Sequence, residues 1–114
     1  MANNIVTNAA AKRKIAKQVI ASQTKVATAA LAEMKTAVKA NRLEEATDAA
    51  ERLLAADAAV EAATKAAGIQ MTDAQFKEFG YVSPSPKEGY GFIQLPIPIS
   101  VCKIIVARDK AKRQ

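Results

Sequence analysis

Polar and apolar positions alternate in two different ways along this 114-residue chain. In its first part the apolar residues recur with helical spacing, three, four and seven apart. One alanine-rich segment runs from Ala9 to Ala40, with Ile20, Ala27 and Met34 seven apart, Ala16, Ala30 and Ala37 interleaved, and Leu31 and Val38 widening the stripe. A second runs from Leu43 to Ala67, with Ala46, Leu53, Val60 and Ala67 in heptad register and Ala49, Ala56 and Ala63 between them. Ala, Leu, Met, Lys, Gln and Glu are strong helix formers, and neither segment contains Gly or Pro. Asn41 is the natural break. Asn tolerates the left-handed backbone that ends a helix, and Asn41 with Glu44 also fits a capping box that starts the next one. The pattern predicts a long antiparallel helical hairpin with a narrow seam of small residues.

Met1 to Thr7 are uncharged and read as an arm, with Thr7 or Asn8 capping the first helix. Gly68 stands where the second helix should stop. Thr72-Asp73-Ala74-Gln75 is another capping-box pattern and predicts a short helix through Phe79, ended by Gly80, with Phe76 and Phe79 sharing a face as a lid on the hairpin.

From Val82 the pattern changes. Val82-Ser83-Pro84-Ser85-Pro86 favours an extended connector. The β-branched residues that follow predict strands, roughly Tyr90 to Leu95 against Ser100 to Val106, with the Pro96 and Pro98 stretch between them. The expected fold class is therefore mainly α: the hairpin, a short third helix, and a small C-terminal β-hairpin or extended arm. Two units are expected, residues 1–80 as hairpin plus short helix and 81–114 as connector, strands and basic tail. A lone two-stranded hairpin is marginal in water, so it should pack on the helices, complete a partner's sheet or pair with a second copy.

Charge adds direction. The chain carries +6 at neutral pH, and the distribution is uneven: Asn8–Ala40 carries +6 and Asn41–Gly68 carries −3. The two helices should attract each other. Cations gather at Lys12, Arg13, Lys14 and Lys17, and again at Arg108, Lys110, Lys112 and Arg113, which points to acidic partners, nucleic acid foremost. Half of the residues are apolar, but many are Ala and only 4% are aromatic, so core volume is scarce and assembly with another subunit is an attractive way to gain stability.

Catalytic chemistry finds little support. There is no His, the commonest general base and metal ligand. Glu44, Glu45, Asp48 and Glu51 lie along one side of a helix as a solvated face, and Cys102, the one cysteine, reads as a buried, unreactive thiol in a strand. No catalytic, cofactor or metal residue is expected, and no small-molecule substrate. The single thiol fits a reducing compartment, and no stretch reads as a membrane span or signal, so the expected location is cytoplasmic, with a virion as the alternative.

Gly89-Tyr90-Gly91-Phe92-Ile93-Gln94-Leu95 resembles the aromatic strand of RNA-recognition and cold-shock domains. The resemblance implies that Tyr90 and Phe92 stack on single-stranded bases; the alternative is a strand that buries both rings. Glu88 stands where those families carry a cation. The basic start at Lys12-Arg13-Lys14, followed by two long helices with an acid-rich second one ending at Gly68-Ile69, resembles a small helical protein of the bacterial small ribosomal subunit, which implies ribosomal RNA as partner. The chain departs from that family where Asp73, Phe76 and Pro84 replace a basic third helix. The leading expectation is a non-enzymatic interaction or assembly protein whose basic helix start and basic tail contact nucleic acid or another acidic partner. The alternative is a homo-oligomeric structural subunit, of a virion or other shell, joined through the alanine seam and the C-terminal strands.

Overall fold

The computed structural model describes residues 2–69, 72–78 and 84–113, with side chains from residue 10 onward apart from that of Pro86. Among these residues are four α-helices, α1 (Ala2–Lys39), α2 (Leu43–Ala66), α3 (Asp73–Glu78) and α4 (Ser100–Arg113), and one 3-10 turn at Pro86–Glu88. The body measures 56 × 25 × 24 Å, its length set by α1.

Asn41 makes the reversal between α1 and α2. Its φ is +60°, the Arg42 N–H donates to the Ala37 carbonyl at 2.9 Å, and the Asn41 N–H donates to Val38 at 3.1 Å. This pair of bonds satisfies two of the carbonyls that a helix end leaves open. Gly68 ends α2 in the same way at φ +73°, with Ile69 N–H on the Thr64 carbonyl and Gly68 N–H on Lys65. The expected capping box does not form. Asn41 is used to close α1, so the residue before α2 is Arg42, which makes no side-chain capping bond.

The start of α1 also differs from expectation. The helix begins at Ala2, so Thr7 and Asn8 lie inside it and not at its start. Lys12, Arg13 and Lys14 thus stand well beyond the first turn, where the helix dipole no longer opposes them.

α2 is the central helix. One face, Ala46, Ala49, Leu53, Ala56 and Val60, is buried along with Ala16, Ile20, Ala27, Ala30, Leu31, Met34 and Ala37 of α1, most of the residues read as the seam, whereas Val38 is exposed and Ala63 and Ala67 are half-buried. The neighbouring face, Thr47, Ala50 and Leu54, extends the covered surface, and α4 packs on α2 as well. An ion pair links α1 to α2 through Glu33 and Arg52, the minority charge of each helix, and Arg52 also reaches Asp48 at 3.3 Å. All three side chains are about half exposed or more, so these contacts guide register more than they stabilise.

The described fold is all-α, which corrects the expected β-hairpin or extended arm: there is no strand among the described residues. Ser100 to Val106 forms the first half of α4, and Tyr90 to Leu95 is an irregular loop. Packing explains the correction. Cys102, Ile105 and Asp109 recur at helical spacing and are buried, while Val101, Ile104 and Arg108 form the adjacent stripe. A strand would send Cys102 and Ile105, three positions apart, to opposite faces, whereas both are buried on one side with the exposed Lys103 and Ile104 between them. Gly89 and Pro98 supply the start of the helix: Ser100 N–H donates to the Gly89 carbonyl at 3.0 Å, and Val101 N–H to Pro98 at 3.1 Å. Lys110, Lys112 and Arg113 then occupy the last turn, where cations complement the helix dipole.

The Thr72 hydroxyl accepts the Gln75 N–H at 3.4 Å at the start of α3, and Phe76 is buried. Phe79, Gly80, Val82 and Ser83, also given roles in the sequence reading, lie outside the described residues.

One buried polar atom is left over. The Thr47 hydroxyl has no hydrogen-bond partner among the described residues, and the residue is 5% exposed. Replacing it with Val keeps the shape and removes the unpaired group, so Thr47→Val should raise stability by about 1 kcal/mol in denaturant unfolding.

Candidate functional site

The helix arrangement leaves a gap at the turn end of the hairpin. α1 and α4 both rest on α2, yet no Cα of α4 comes within 8 Å of one in α1. The two meet through side chains, with Cys102 Sγ 3.9 Å from Met34 Sδ. Beside this contact runs a groove of about 620 Å³. Its apolar surface comes from Met34 and Val38 of α1, Leu43 and Ala46 of α2, Ile97, and Val101, Ile104 and Ile105 of α4. Val38 and Ile104 are 53% and 52% exposed, high values for such residues, and both face this groove.

Every charged side chain lining the groove is a cation: Lys35, Lys39, Arg42 and Arg108. Lys35 and Lys39 are four apart and share one face of α1, and Arg108 continues the Val101 and Ile104 stripe on α4. Arg42 pairs with Glu45 at 3.6 Å, both well exposed. Lys35, Lys39 and Arg108 make no ion pair among the described residues. An apolar floor bounded by cations, three of them without an ion pair among the described residues, suits an anionic amphiphilic surface.

The residues nominated from the sequence are spread over the molecule. Lys12 and Lys14 are exposed near the amino-terminal end, Arg13 pairs with Glu78 of α3 at 3.5 Å, and Lys17 lines a shallow pocket with Arg13, Lys14 and Glu78. Arg113 pairs with Asp109 at 3.1 Å and with Glu44 at 3.3 Å, which places the end of α4 beside the start of α2. Lys110 and Lys112 are exposed, and Arg108 alone of the nominated cations lines the groove. The Lys12–Lys17 cluster is separated from Lys39 by about 33 Å of helix at its nearer end, at 1.5 Å per residue. The two basic segments therefore form separate surfaces.

Tyr90 and Phe92 do not lie on a strand face. Both are half-buried, and Phe92 packs on Phe76 with ring centroids 6.0 Å apart. The loop is held by Asp57 of α2, whose Oδ1 accepts the Phe92 N–H at 2.6 Å and the Ile93 N–H at 2.9 Å. The glycines serve this closure. A Cβ on Gly91 would lie 2.5 and 2.6 Å from the two Asp57 oxygens, and Gly89 adopts φ +80° against Ser100. Burial pushes the Asp57 carboxyl above the ordinary range, the two N–H groups and Lys103 oppose that rise, and Glu61 adds to it. Cys102 is buried as expected, though in a helix, and burial pushes its thiol up.

The sequence reading missed Lys35, Lys39, Arg42, Val38 and Ile104 as a group, and it counted Asp57 only as a charge. A helical reading of Val101, Ile104, Ile105 and Arg108 would have exposed half of the groove; the other half depends on where α4 docks. Among the described residues there is no cluster of three or more Cys, Asp or Glu that could hold a metal ion, and no helix is long and apolar enough to cross a membrane. Comparison with known proteins adds no relative: no family model, curated protein or solved structure matches the chain.

Proposed function

We propose that this is a non-enzymatic interaction protein that holds an acidic partner in the groove between α1 and α4. The observation that carries this reading is the groove's lining, aliphatic below and exclusively cationic at its charged positions. An acidic protein surface fits it better than nucleic acid does. The groove presents no aromatic side chain on which a base could stack, and Phe92, the ring nominated for that role, packs on Phe76. The alternative of a homo-oligomeric shell subunit has less to draw on, because the alanine seam is used within the chain and the segment expected to pair as strands is α4.

The test is a titration of the full chain with fluorescent poly-glutamate and, separately, with a single-stranded oligonucleotide. Poly-glutamate should bind with an affinity that falls steeply with salt, and Lys39→Glu with Arg108→Glu should weaken it by about tenfold or more, since each reversal replaces attraction with repulsion. Both side chains are exposed, so the fold should survive. Binding that is unchanged in this double variant, or that is lost only on reversing Lys12 and Lys14, contradicts the reading.

A further inference from the structure

We infer that the occupant of the groove is an acidic amphipathic helix of a partner protein, docked as a further helix beside α1, α2 and α4. The inference rests on the proposed function and adds the shape and pattern of the partner. Its first support is the open layout. α1 and α4 flank α2 with no Cα pair within 8 Å, and beside their side-chain contact at Met34 and Cys102 the groove has walls made by these two helices and a floor that includes the start of α2. A rod packed between two helices is the shape that completes such a bundle, since helix axes pack about 8 to 10 Å apart.

The second support is the spacing of the charges. Lys35 and Lys39 lie one turn apart on the α1 wall, so a helix alongside it presents two acids at i and i+4 to them. Arg108 stands on the opposite wall and Arg42 at the turn. A helix with an apolar stripe at i, i+3, i+4 and i+7 and acids on both flanks meets the floor and both rims together. The third support is exposure. Val38 and Ile104 are each more than half exposed and line the same groove. A fatty acid could use the same floor, but its single carboxylate would leave most of the cations on the two rims unmatched.

The experiment compares two peptides on the full-length chain. One, of about 18 residues, carries Leu in the helical stripe and Glu on both flanks; the other has the same composition in scrambled order. The patterned peptide should bind about tenfold or more tightly than the scrambled one, and should gain helical circular dichroism on binding. Val38→Asp and Ile104→Asp, at exposed positions the fold can spare, should each remove about tenfold of that affinity while leaving the unfolding midpoint of the free chain close to its original value. Equal binding of the two peptides, still sensitive to Lys39→Glu, overturns the helix while leaving the acidic-partner reading standing. Failure of both peptides and of poly-glutamate removes both. Tighter groove occupancy by laurate or by a single-stranded oligonucleotide than by the patterned peptide also overturns the inference.

Discussion

Replacing Asp57 with Ala should destabilise the protein by about 2 to 4 kcal/mol, because it leaves two main-chain N–H groups without an acceptor in a half-buried place. The loss should spread from the loop. Asp57 ties Phe92 and Ile93 to α2, Phe92 packs on Phe76 of α3, and the Gly89 carbonyl receives the first N–H of α4. Freed from Asp57, the loop no longer positions either contact. Asp57→Asn keeps an oxygen at the same place and should retain most of the stability.

The two variants also separate hydrogen bonding from charge. Burial raises the folded-state pKa of Asp57 above its value in the unfolded chain, so the folded state binds more protons between those two values. The contribution of this carboxyl to stability is then fully present below the unfolded pKa and is lost as pH rises through the folded one. Measured by urea unfolding across the carboxylate range, the stability of the parent chain relative to Asp57→Asn should fall with rising pH and level off once the folded-state carboxyl is ionised. A relative stability that rises over that range contradicts the account of Asp57.

Leu53→Ala should cost still more, about 3 to 5 kcal/mol. Leu53 is fully buried on the central helix and is among the largest side chains so enclosed. Its neighbours along α2 are Ala49, Ala50 and Ala56, whose short side chains cannot move in to fill the space. Small domains have about 5 to 15 kcal/mol in total, so this one truncation should bring unfolding close to ambient temperature. Leu54, half-buried one position later, makes the control: its replacement by Ala should have a clearly smaller effect on the thermal midpoint.

The hairpin was legible because its signals are local or periodic. Asn41 is the one residue near the middle of a long helical pattern that readily takes a positive φ, and the heptad positions of Leu53, Val60, Ile20 and Met34 identify the buried faces. Gly68 and Thr72 punctuate the chain by the same short-range chemistry. The C-terminal part misleads because Val101, Ile104, Ile105 and Val106 favour strands by intrinsic preference, and that preference yields to packing when one helical face can be buried against α2. Cys102 and Ile105 make that face; the sequence shows their spacing but not the surface that receives them. The clasp at Asp57 was hidden for a different reason, since its partners are main-chain N–H groups 35 and 36 residues away. The groove was hidden too. Lys35, Lys39 and Arg42 belong to the hairpin, Arg108 to a segment read as a free tail, and only the docking of α4 brings them around one floor.

That floor is also what a residue-by-residue titration can locate. Amide shifts of the 15N-labelled full chain, followed during addition of poly-glutamate at low salt, should move most at Lys35, Val38, Lys39, Leu43, Ile104 and Arg108, with Lys12, Lys14 and the Gly89–Phe92 loop little changed. Shifts concentrated at Lys12 to Lys17, or at Tyr90 and Phe92, with the groove silent, would contradict the account and return the binding surface to the basic helix start or to the aromatic loop.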